Sequence, residues 1–129
     1  MNKILVEVSV GELLDKISIL EIKSEKIKDP EKLNYIKEEY KILKDQLNTN
    51  IKNYNEIESL YNSLKEINSK LWVIEDDKRL CEKNSDFGEK FIKLSRDVHF
   101  LNDERAKLKL EINNKTGSKI KEIKEYTKY

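Results

Sequence analysis

Residues 56–114 read EIESLYNSLKEINSKLWVIEDDKRLCEKNSDFGEKFIKLSRDVHFLNDERAKLKLEINN, and this stretch decides the fold. Apolar side chains recur at Ile57, Leu60/Tyr61, Leu64, Ile67, Leu71 and Ile74, and again at Phe91, Leu94, Val98, Leu101, Leu108 and Ile112. Steps of three and four place each set on one face of a helix. Between the sets, Asn84-Ser85-Asp86-Phe87-Gly88 supplies turn residues. Each helix is expected to run about 27 residues, roughly 40 Å at 1.5 Å per residue. So short a turn forces them antiparallel. Residues facing each other across the seam then have numbers summing to about 172.

Upstream, Ser9-Val10-Gly11-Glu12 has the capping-box pattern, in which the Ser hydroxyl and the Glu carboxylate each satisfy a backbone N–H of the first turn. A helix should run from there to about Lys28, with Leu13, Ile17, Leu20/Glu21, Ser24 and Ile27 as its stripe. Asp29-Pro30 ends it and starts another, with Asp29 as cap and Pro30 at the first helical position. Leu33, Ile36, Tyr40, Leu43 and Leu47 continue that helix until the Asn-rich stretch 48–55 breaks it. Thr116-Gly117-Ser118 closes the last helix and leaves residues 119–129 as a weakly amphipathic tail. Residues 4–8, ILVEV, read as a short extended segment with no second strand in the chain to pair with. The expected fold is all-α: two long antiparallel helical hairpins forming one helical-bundle domain over residues 1–129, at least two-thirds helix, preceded by that extended segment.

Composition narrows the function classes. The chain has 129 residues, 26 Lys and Arg against 25 Asp and Glu, and a net charge of +1. Such balance counts against a nucleic-acid binder and against charge-driven disorder. Glu7 interrupts the first apolar run, so no signal-peptide core is visible, and no run approaches the length of a membrane span. One cysteine, Cys81, excludes an intrachain disulfide. A cytoplasmic address follows as the expectation. Lysine outnumbers arginine 23 to 3, an imprint of AT-rich coding, and against it Arg79, Arg96 and Arg105 stand out.

Several polar residues fall on the inward stripes: Glu21, Ser24, Asn68, Glu75, Ser95, Asn102 and Arg105. Buried charges need partners, so Arg105 is expected against Glu75 or Glu21. Two readings follow. One is a structural polar layer that fixes register. The other is a pocket lined by Glu21, Glu75, Asp76, Arg79, Asn102 and Arg105, where guanidinium groups could hold a phosphate or carboxylate. Trp72 is expected at a packing interface and His99 at the bundle edge. No Glu-x-x-His pair, phosphate loop or nucleophile–base order is present, so no metal, cofactor or catalytic residue is assigned, and an enzyme is the less favoured outcome.

ILVEVSVGELLDKISILEIK (4–23), KLWVIEDDKR (70–79) and DFGEKFIKLSRDVHFLNDERAKLKLEIN (86–113) resemble a family of small proteins with bacterial and viral members, classed as a domain of unknown function. The resemblance implies no activity, cofactor or catalytic residue. It points to gene neighbourhoods of surface-polysaccharide and glycosyl-transfer functions, and so to an accessory role there. The first expectation is a non-enzymatic interaction or adaptor module, homodimeric because its apolar stripes exceed what one chain can cover. The alternative is a small enzyme or binding protein holding an anionic metabolite, such as a nucleotide or sugar phosphate, between helices.

Overall fold

The computed structural model describes residues 2–129. Four helices follow in order: α1 (Val10–Lys26), α2 (Pro30–Asn50), α3 (Glu58–Lys83) and α4 (Glu89–Thr116), with a single 3-10 turn at Tyr54–Glu56 between α2 and α3. No strand occurs among the described residues, and more than two-thirds of them are α-helical. No helix is long and apolar enough to cross a membrane.

Local chemistry sets the helix ends. The Ser9 hydroxyl accepts from the Glu12 N–H at 3.1 Å, as the capping pattern requires. The reciprocal half of the box is absent, because the Glu12 carboxylate turns to Lys109 at 2.7 Å. Asp29 stands at the N-cap of α2 without a side-chain bond, and Pro30 alone shapes that start. Gly117 ends α4 in the left-handed region, with φ 65°, and the Ser118 N–H bonds back to the Asn113 carbonyl at 2.9 Å. That turn sends residues 118–129 back along α4, where Tyr129 meets Asp103, His99 and Phe100.

α1 is the centre of the fold. It packs on α2 and crosses both members of the α3–α4 hairpin. Leu14 and Ile17 form the core with Leu47, Ile57, Tyr61, Leu64 and Ile112. All the polar contacts α1 makes with the hairpin fall on residues 61–68 and 105–113, the half remote from the turn at residues 84–88. The other half projects toward that turn without a polar contact to α1 among the described residues, although Ile19 and Ile22 of α1 still border Leu71 and Trp72 at its base. Between Ser69 and Phe100, only Leu71 and Cys81 are buried.

Segment 4–8 is neither helix nor strand, and Ile4, Leu5 and Val6 are 84%, 82% and 74% exposed.

Candidate functional site

The most heavily bonded side chain in the molecule is Asp15 on α1, which is only 2% exposed. Its carboxylate takes a two-point contact from Arg105 on α4, Nε to Oδ1 at 2.9 Å and Nη2 to Oδ2 at 2.5 Å. From α3, Asn68 Nδ2 donates to Asp15 Oδ1 and to the Ser18 hydroxyl, both at 2.8 Å. Lys109 stands 4.0 Å from Asp15 Oδ2 and also pairs with Glu12 and with Glu122 of the tail, at 2.7 and 3.1 Å. Three helices thus meet at one carboxylate, and the tail joins them through Lys109.

Close approach makes this possible. The Gly11 N–H donates to Asn113 Oδ1 at 2.7 Å, and a Cβ at Gly11 would lie 2.5 Å from the Lys109 carbonyl oxygen. Only glycine lets the first turn of α1 sit on the α4 backbone. Ser18, fully buried, keeps the surface small two turns further on, beside Asn68.

The electrostatics follow from the geometry. Burial by itself would raise the Asp15 carboxyl, but hydrogen bonds from Arg105 and Asn68, and the charges of Arg105 and Lys109, hold it below the usual aspartate range. Burial likewise opposes the charge on Lys109. Its hydrogen bonds to Glu12 and Glu122, and the charge of Asp15, keep the ammonium above the usual lysine range. No buried side-chain nitrogen or oxygen among the described residues lacks a hydrogen-bond partner. A network so complete has the character of a structural polar layer.

The predicted pocket residues separate into three groups. Glu75, Asp76, Arg79 and Arg105 do come together, on the rim of a cleft of about 400 Å³ whose wall is Ile19, Ile22, Leu71 and Trp72 and whose base includes Asn68. Glu21 is elsewhere: it faces Tyr61, which donates to it, and Lys65 at 3.2 Å. Asn102 is exposed and touches only the outer edge of Arg105, at 3.4 Å. The expected partners of Arg105 are also corrected. Glu75 is exposed and Glu21 is bound to α3, so neither pairs with Arg105, whose partner is Asp15. Of the other polar stripe residues, Asn68 is buried, Ser95 is half-buried, and Ser24 is exposed with its hydroxyl on the Glu21 carbonyl.

Asp15 was not on the expected stripe because α1 has two buried faces. The line Leu13, Ile17, Leu20 accounts for one of them. A parallel line, Gly11, Leu14/Asp15, Ser18, Ile22, faces the hairpin and is wholly buried. The signal for it was the pair of small residues, Gly11 and Ser18, at helical spacing around a carboxylate.

Trp72 lines the cleft and is half-buried. His99 lies exposed at the edge, tilted against Phe100 at 4.4 Å and edge-to-face with Tyr129 at 5.2 Å. Among the described residues no three His, Cys, Asp or Glu side chains converge as metal ligands would.

With this geometry in view, comparison with known sequences places the chain. The model of a family of unknown function, DUF6165, matches residues 4–129, and the chain belongs to that family. No curated protein and no solved structure matches it.

Proposed function

We propose that the chain is a non-catalytic helical interaction module, working as a homodimer, whose projecting α3–α4 hairpin receives an amphipathic helix of a partner protein. The observation that carries this reading is the bare apolar groove on the hairpin beyond α1. It measures about 620 Å³ and is walled by Val73, Ile74, Phe100 and Leu101, with Glu66, Lys70 and Asp97 on its margins. An apolar floor with charges of both signs at the rim is the surface an amphipathic helix fits. An interaction module also suits a polar cluster whose bonding capacity is used up internally, which leaves no free acid, base or nucleophile at the best-ordered point of the fold.

The test starts in cells, with a photoreactive amino acid at position 73 or 100. One partner should be crosslinked from both positions. Purified, it should bind the wild type and lose affinity about 30-fold in Val73→Glu, as expected for an interface anchor near 2 kcal/mol. Crosslinks that lead only to another copy of the chain, or binding that ignores Val73→Glu, would overturn the reading.

A second reading rests on the cleft beside Trp72. Arg79 has no carboxylate within 4.0 Å among the described residues, although Glu75 and Asp76 line the same cleft. An arginine that shares a cleft with an indole is suited to a small anion with an apolar or planar body. Phosphate or a nucleotide should then raise the melting temperature by mass action, and Arg79→Gln should remove the rise. An equal response in both proteins would remove the cleft from consideration.

A further inference from the structure

The least explained part of the fold is the segment that leads into α1. Lys3-Ile4-Leu5-Val6-Glu7 carries three adjacent apolar side chains in nearly full solvent contact. Among the described residues, no backbone group of residues 3–8 bonds to another backbone group. An exposed apolar run whose backbone groups find no backbone partner is a template for strand pairing, which proteins normally cover or blunt. Family similarity begins at Ile4, so the arm belongs to the common domain and is not an appendage to it.

We propose that the arm pairs with the same arm of a second copy, as an antiparallel two-stranded ribbon about a twofold axis through Leu5. This rests on the homodimeric reading above and gives it a contact. The reason lies in the order of residues. With Leu5 on the axis, Ile4 falls opposite Val6 of the second copy, and Lys3 falls opposite Glu7. Symmetry makes each contact twice, so both arms are neutralised by charges they already carry. A register centred on Glu7 would instead set two carboxylates face to face.

Period-two alternation adds a second consequence. Ile4, Val6 and Val8 share one face of the arm, while Lys3, Leu5 and Glu7 share the other. Pairing doubles the first face into a patch of six branched apolar side chains. A two-stranded ribbon is marginal by itself, so this patch must rest on the helices. Val8, at 42% exposure, is already the most covered of the three where the chain enters α1.

The experiment uses the full chain. Light scattering should give about twice the 15.3 kDa of one chain for the wild type, and one chain's mass when residues 2–8 are deleted. Under mild oxidation Leu5→Cys should form a disulfide-linked dimer with itself. Ile4→Cys and Val6→Cys should each fail alone and crosslink when mixed. Cys81 is buried, and peptide mapping separates it from the introduced thiols. Glu7→Lys should weaken the dimer about tenfold, and Lys3→Glu combined with Glu7→Lys should restore it, because two cross-strand pairs are reversed and then remade.

A wild-type dimer that survives the deletion overturns the arm pairing and leaves the homodimeric module standing. Equal crosslinking at positions 4, 5 and 6 overturns the register and with it the proposal. A wild-type chain that stays monomeric at high micromolar concentration overturns both this pairing and the homodimeric reading. So does an arm that is protected only when a different protein is added.

Discussion

The two halves of the α3–α4 hairpin have similar sequence patterns and opposite surroundings. In residues 57–68 and 105–113 the hairpin is covered by α1, and its polar residues Asn68, Arg105 and Lys109 all converge on Asp15 or its neighbours. In residues 72–100 the stripe residues Ile74, Phe91, Leu94 and Val98 are only half-buried, and off the stripe Val73, Leu80, Phe87 and Ile92 are about half exposed. A stripe alone therefore does not say what a helix buries. The length of the third element laid across it decides that, and α1, at 17 residues, is shorter than either member of the hairpin, at 26 and 28. One half is tied down by buried ion pairs; the other keeps much of its apolar surface in solvent.

The largest blow to this contrast should come from Asp15→Ala. It leaves Arg105, Asn68 and Lys109 facing one another without their shared acceptor, and the loss should be about 3 kcal/mol, near the lower end for a broken buried pair because Arg105 keeps some contact with water. Urea denaturation measures it, and a loss under about 0.5 kcal/mol, the range of ordinary surface changes, would reduce the polar layer to decoration.

Gly11→Ala comes next. The new methyl meets a backbone carbonyl, which cannot rotate away, so α1 must lift from α4 at a cost of about 1–3 kcal/mol. Thermal unfolding reads the loss directly, and an unchanged melting temperature would mean the two helices do not touch at this point in solution.

Titration sharpens the contrast further. The Asp15 carboxyl titrates lower in the folded chain than in the unfolded one. Its contribution is therefore complete above the ordinary aspartate value near 4 and disappears as pH falls through the lower folded value. Lys109 has the opposite sign: its contribution is complete below the ordinary lysine value and is lost as pH rises through the raised one. Stability should form a plateau between these limits. In Asp15→Asn the acid limb should be shallower, which denaturation at pH 3 and pH 6 would check.

The smallest effects belong to the projecting half. Val73→Glu and Leu80→Glu should each change stability by less than about 0.5 kcal/mol, since both side chains are already half in water. A loss above about 2 kcal/mol in the isolated protein would show that this face is covered by something in solution, which circular dichroism at several protein concentrations would identify as a second copy or exclude.

Helices, turns and the hairpin seam were legible in the sequence, because periodicity and the residues at 84–88 and 116–118 depend on local geometry. The expected seam partner of Arg105, Asn68, is indeed its neighbour, since both bond to Asp15. What could not be read was the angle at which α1 crosses the hairpin. A heptad line assumes helices lying side by side, and on that assumption Glu21 faces Arg105. A crossing helix instead carries Glu21 to Tyr61 and Lys65 and brings Asp15 to Arg105. The cleft survived in part because Glu75, Asp76 and Arg79 lie on one helix, where spacing suffices to group them. The partner of a long-range ion pair depends on where whole elements come to rest, and short-range pattern holds no record of that.

The joint between the first turn of α1 and the last turn of α4 has one more consequence. Gly11 N–H on Asn113, Val10 N–H on the Ser118 hydroxyl at 3.1 Å, and Lys109 between Glu12 and Glu122 hold the first and last helices of the chain together without a covalent link. The order in which the ribosome delivers these helices is thus separable from the architecture they make. A circular permutant opened in the exposed turn at residues 84–88 and joined by a flexible linker between the tail and the arm would keep the whole Asp15 network, with α4 now made first and α3 last. Such a chain would also free both ends of the projecting hairpin, turning the tip that is now a closed loop into two addressable termini.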